Sequence, residues 1–502
     1  MSRWKLRAVA IVAAAALAIS GCSSNKTSDN GGNVAASQEL RIGTRFAPTD
    51  TFDPSEATSA GAMILLFSVY DSLVLMTADG PVMSLAESVE PNDTSDEWTV
   101  TLRKGLTFSD GTAVTGQDVL DSLAHLAQSP TLAALYSNID FEASSVQGNV
   151  VVLKTKTPVA DFVESILGMM STVSPGGRFD GVGAGPYIVE KGDPTTGYTL
   201  QANAKYWKGK PKIPSIVLVP VPESSSQAAA LISGEIDYAA GLDASSVATL
   251  AQHDEIVVPK PTLDSAVAMD FVLNTRVAPF NDPEVRKAFR LTLDREKMVN
   301  TLLGKTGEIG NDLLGKGYPG YPDMIQQTVA DKEEARRIFA EHGVTSFEIA
   351  ASDTVPGSVA AAELAVQEFK EVGVDVTIDK KDPETYLSDM DTLYTKQAFT
   401  FYWVNRSPLS EFRNQIAPDS YFNVSGYTSE TLRSAYEAAV STTDEAKRNE
   451  IVARISQELH DSGGEVIWGY QMQITAYRSG LKGVVLFQSI PWLVDASYEP
   501  AA

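Results

Sequence analysis

A single hydrophobic core stops growing at roughly 250–300 residues, so a 502-residue chain without a long low-complexity interruption must divide its burial between two or more domains. Apolar residues make up 43% of the chain and charged residues 21%, close to ordinary soluble values, so nearly its whole length can be packed. No repeat of solenoid length is present.

The opening stands apart from that packed body. A basic start with Arg3, Lys5 and Arg7 precedes an apolar run from Ala8 to Ile19, which is too short to span a bilayer comfortably. Residues 1–21 are therefore expected to be an export signal. The run ends Ile19-Ser20-Gly21-Cys22, which resembles the lipidation box of bacterial lipoproteins, and Cys22 is the only cysteine of the chain. A lone thiol cannot form an internal disulfide, and lipidation at Cys22 would occupy it chemically. Residues 22–38 then form the lipidated cysteine and a flexible tether, rich in Ser, Asn and Gly, that reaches roughly 20–25 Å. The expected location is extracytoplasmic, lipid-anchored to the cell membrane.

The formal net charge is −24, and removing a signal that carries three cations makes it more negative. Such a field repels polyanions, and no basic run interleaved with aromatics opposes it, so nucleic acid is excluded as a partner. The acidity serves solubility.

The body has the pattern of an α/β protein. Alternation predicts strands at 39–44, 98–102, 150–154, 198–202 and 216–221. Thr115 and Asp118 resemble a capping box ahead of Val119, Leu120, Leu123 and Leu126, which share one helix face. Asp282 with Pro283, and Asp331 with Glu334, open two further helices, the second ended by Gly343. A strand at 347–351, a helix over 358–372 stopped by Gly373, and a strand at 374–378 make a βαβ unit with parallel pairing. Helices over 429–440 and 444–461 carry apolar stripes.

Several motifs fall short of the chemistry they imitate. Gly310 to Lys316, GNDLLGK, matches a phosphate-binding loop until Gly317 takes the place of the required Ser or Thr. In GVGAGP, residues 181–186, Pro186 stands where a dinucleotide site needs its third glycine. His125, His253, His342 and His460 are far apart, and none has a second His or Cys at metal-ligand spacing. No nucleophile elbow and no HExxH occurs, so no catalytic residue, metal or cofactor is expected.

Longer motifs carry a resemblance. They begin with Val69 to Leu73 and Leu85-Ala86-Glu87, followed by Trp98 to Gly111 with Asp118-Val119. Gly183 to Tyr187, Asn203 to Trp207 with Gly209-Lys210-Pro211, and Leu231 to Asp237 come next, then Asn274-Thr275, Pro279-Phe280, Val285 to Ala288 and Asp294 to Glu296. Together these resemble the family 5 solute-binding proteins, the peptide, opine and nickel receptors of ABC importers. The resemblance implies an α/β, two-lobed periplasmic-binding-protein-like fold with an extra subdomain, mixed sheets and a hinge. Lobe 1 is expected at 39–273 plus 480–502, with its subdomain at about 71–178, and lobe 2 at 274–479. The chain crossings are expected near 271–275 and 476–480.

The implied function is capture of a small peptide or peptide-like solute by a non-enzymatic, monomeric lipoprotein, and its delivery to permease subunits that work with separate ATPase subunits. The alternatives are a receptor for an opine, a sugar-like solute or a metal chelate and, in a different class, a membrane-anchored enzyme or sensor on the same fold. Neighbouring permease and ATPase genes distinguish the receptor from the enzyme.

The candidate site centres on Phe401 to Pro408. In the family's peptide-binding branch the matching Trp is followed three residues later by an Asp that pairs with the ligand's amine. Here Trp403 is followed by Arg406. A guanidinium cannot hold an ammonium group, but its planar fork grips a carboxylate with two charge-assisted hydrogen bonds. Trp403 and Tyr402 are expected to cover the ligand, Asn405 and Asn423 to supply donors and acceptors, and Thr58 and Ser59 to approach it from the early loop. Asp53 is expected to hold its own turn.

Overall fold

The computed structural model describes residues 39–502 except 58, 78–79, 130–131, 384, 417–419, 488–489 and 500–502. The signal segment, Cys22, the tether and Thr58 lie outside the described residues.

Two large mixed sheets dominate. The first has seven strands, in the order Tyr187–Asp193, Gly197–Ala202, Ser215–Pro220, Glu39–Thr44, Tyr238–Leu242, Ile474–Arg478 and Ile256–Val257. The second has six, in the order Gly307–Ile309, Glu465–Met472, Ala266–Leu273, Ala398–Val404, Ser346–Ala351 and Asp375–Lys380. The central strand of the second, AVAMDFVL, is apolar at nearly every position because both its faces are covered and all eight residues are buried. A four-stranded antiparallel sheet, Ala86–Pro91, Glu97–Leu102, Val150–Thr155 and Ile139–Gln147, has its own core, in which Trp98 stacks on Phe162 at 5.1 Å between ring centroids.

Local signals set many of these elements. Thr115 accepts from the Asp118 amide while Asp118 returns a bond to the Thr115 amide, and this full capping box starts the helix Gly116–Leu126. Asp282 caps Pro283–Thr292, and Asp331 caps Lys332–Glu341. Gly343 and Gly373 take left-handed backbone just past helix ends, at φ of 67° and 85°. The predicted unit appears as Ser346–Ala351, Ser358–Glu371 and Asp375–Lys380, and its two strands pair in parallel.

The chain changes sheet between Val257 and Ala266 and returns between Met472 and Ile474. Both changes precede the positions expected from the sequence. Ala266–Leu273 is hydrogen-bonded on both sides within the second sheet, so Asn274-Thr275 marks the far end of that strand and not the crossing. Ile474–Arg478 already pairs with Tyr238–Leu242 of the first sheet.

Candidate ligand-binding site

Two arginines follow the carboxyl ends of strands, one from each large sheet. Arg45 comes directly after Glu39–Thr44, which runs parallel to both of its neighbours, and Arg406 lies two residues beyond Ala398–Val404, which runs parallel to Ser346–Ala351. Carboxyl ends of parallel strands are where open α/β sheets place ligands. Both guanidiniums act electrostatically on the half-buried Tyr402, whose phenol is pushed up by burial and pulled back by Arg406 and Arg45. Arg406 Nε is buried without a hydrogen-bond partner, and neither guanidinium forms an ion pair with any described residue.

Glu411, in the first turn of Pro408–Ile416, is the carboxyl group that acts on Arg406. Its side chain is fully buried and neither carboxylate oxygen has a hydrogen-bond partner. Burial pushes its carboxyl up to about 7, with Arg406 and Asn414 pulling it back only in part.

Asn405 is already committed. Its Oδ1 accepts from the Gly315 amide at 3.1 Å, and its Nδ2 donates to the carbonyls of Leu263 and Lys316, both at 2.8 Å. Three of the four bonds its amide can make are thus used to clasp two loops. The same loop holds the GNDLLGK segment. Arg295 grips both oxygens of Asp312 at 2.7 Å, and Gly315 adopts φ of 90° with its backbone against Pro408, where a Cβ would fall 2.6 Å from Cδ. The segment braces the strand end that carries Arg406.

Trp403 is 4% exposed and packs into the core below the sheet, with its Nε1 donating to Asp270 Oδ2 at 3.1 Å. Strand alternation sends Tyr402 to the opposite face. Asn423 is fixed near the far end of Ala266–Leu273, where Arg276 donates to its carbonyl at 2.8 Å, whereas Asn405 and Arg406 follow the strand end that pairs with Val267. Ser59 caps the helix Ala60–Val69 and donates to Asp50 Oδ2. It shapes the loop behind Arg45, whose carbonyl accepts from the Gly61 amide at 2.9 Å. Asp53 holds its own turn through Ser55, as the sequence implies, and also meets His125 at 2.6 Å.

Tyr402 and Arg406 are thus linked electrostatically to two residues the sequence reading did not single out, Arg45 and Glu411. Arg45 carries one faint signal, a cation directly after a predicted strand; Glu411 carries none. A shallow depression of about 340 Å³ opens elsewhere, beside Lys191, Asp193, Thr196 and Tyr198, but its charged groups are exposed.

Residues 80–417 match the family model of bacterial extracellular solute-binding proteins, family 5. The chain belongs to this family. Among curated relatives, the glutathione-binding protein GsiB of Salmonella choleraesuis is 25% identical over 462 residues, covering 86% of each chain. Among solved structures, DppA of Helicobacter pylori in complex with the peptide STSA superposes with a TM-score of 0.80 at 19% identity, over 92% of this chain and 98% of that one. MoaA from A. tumefacien R10 in complex with mannopinic acid gives a TM-score of 0.80 at 21% identity, over 92% and 99%. This family 5 chain thus has the two-lobed periplasmic-binding-protein fold and the substrate-binding role of an ABC importer.

Proposed function

We propose that this family 5 protein captures a small, peptide-like solute bearing a carboxylate between its two lobes, with Arg406 as the anion anchor and Tyr402 beside it. It hands the solute to permease subunits while a lipid on Cys22 holds it at the outer face of the cell membrane. One observation carries the reading: Arg406 keeps a buried Nε unpaired with Glu411 close by. A buried donor without a partner costs about 1–3 kcal/mol, more when charged, so a position that leaves one unmatched is suited to a partner that comes and goes. The ligands named for the relatives, glutathione, a peptide and mannopinic acid, support a solute of this kind.

Mass spectrometry of the solute released by denaturing the purified protein identifies the ligand, and calorimetry with that solute tests Arg406. Removing one partner of a buried, hydrogen-bonded charge pair costs about 2–5 kcal/mol, so Arg406→Ala weakens binding about 30-fold or more with little change in melting temperature. Arg406→Lys recovers part of the loss, because an ammonium lacks the two-pronged geometry. A loss below about threefold for Arg406→Ala would remove Arg406 from the site.

A further inference from the structure

We infer that Arg45 and Arg406 form a two-sided clamp for a solute with two carboxylates, one gripped from each large sheet; this rests on the reading of Arg406 as the anion anchor. The chain carries 40 Lys and Arg against 64 Asp and Glu, so an acidic partner is easily found for almost any cation. Lys396, half-buried at a strand edge, has two, Glu348 and Asp379. Arg45 and Arg406 form no ion pair at contact distance with any described residue, Glu411 acting on Arg406 only from farther off, although each follows a strand end at which such folds hold ligands.

The local charge balance points the same way. Two guanidiniums bear on Tyr402, and Glu411 is the one carboxyl group acting on Arg406, held partly protonated by its burial. One carboxylate offsets at most one of the two cations, so the site is left positive until a solute brings negative charge. Each guanidinium fork matches one carboxylate, and a single carboxylate gripped by Arg406 leaves Arg45 unmatched. Two like charges delivered from different sheets also repel when the sheets approach. A solute with two carboxylates turns that repulsion into two attractions, so it favours the closed arrangement through its differential affinity.

Calorimetry with two defined dipeptides tests the clamp: glutamylglycine has two carboxylates, and glutaminylglycine has one in nearly the same shape. The wild-type protein is expected to bind glutamylglycine about 30-fold or more tightly than glutaminylglycine. Arg45→Gln should reduce that ratio to within about threefold. Its melting temperature should not change, since the exposed Arg45 side chain pairs with no described residue. Arg406→Ala should weaken both dipeptides. A ratio that survives Arg45→Gln overturns the clamp and leaves Arg406 as anchor; binding of both that survives Arg406→Ala overturns the anchor itself. If the wild type takes neither dipeptide, the released solute decides. Fewer than two acidic groups in it overturns the clamp, and two or more require Arg45→Gln to weaken that solute by the same factor.

Discussion

Glu411 holds a carboxyl group where water does not reach, and its protonation is therefore linked to folding. Its acid is raised from the ordinary 4.5 to about 7 in the folded chain, chiefly by desolvation. Between those values the folded state binds more protons than the unfolded state, so stability falls as pH rises. The contribution is fully present below about pH 4.5 and is lost as pH climbs through about 7, with an upper magnitude on the order of 3 kcal/mol. Ligand-free Glu411→Gln should therefore be more stable than wild type at pH 8, and the difference should vanish near pH 4. Chemical denaturation at the two pH values measures it, and equal differences at both would show that Glu411 does not titrate in this range. At the same scale, Arg406 shows how far sequence reading reaches. The substitution of a cation for an expected anion was visible from one position, whereas Arg45 lies more than 350 residues away and only folding lets both guanidiniums act on Tyr402.

Strand ends and loops do the positioning. Asn405 ties the loop at Leu263 to the loop at Gly315 and Lys316, and so fixes the exit of the strand that leads to Arg406. Asn405→Ala leaves one amide and two carbonyls in a buried setting without that partner and should cost about 2–4 kcal/mol. Thermal denaturation shows this as a clear drop in melting temperature; an unchanged value would mean that the loops hold without the clasp. Elements with a local cause were legible in the sequence: the Thr115 box, the Asp282 and Asp331 caps and the glycine stops all act within a few residues of themselves. Sheet membership was not. Alternation marks a strand but not its partners, and the family motif at Asn274-Thr275 proved to close a strand of the second sheet. Trp403 illustrates the same limit, since its place beside Arg406 in sequence conceals that alternate strand residues face opposite ways and that Asp270 waits for its indole.

For the molecule as a unit, the proposed function requires a lipid anchor at Cys22. One acyl chain gives only marginal membrane attachment, so such an anchor would need the several chains of a bacterial lipoprotein. Cys22→Ser should leave folded protein in the soluble fraction, and its retention on membranes after a high-salt wash would refute the anchor. Two chain crossings join the two large sheets. One occupies residues 258–265, the other is Gln473 alone, and the two are joined where the Gln473 amide donates to the Ser265 carbonyl at 3.1 Å. In the proposed capture, crossings fastened to one another would act as the spine of a book, favouring a swing of the covers over a slide. Opening and shutting would then follow one angle, along which the proposed Arg45 and Arg406 clamp closes in a single register. The mouth would gape on the side away from the spine, and a partner that tells a shut molecule from an open one would read both covers there.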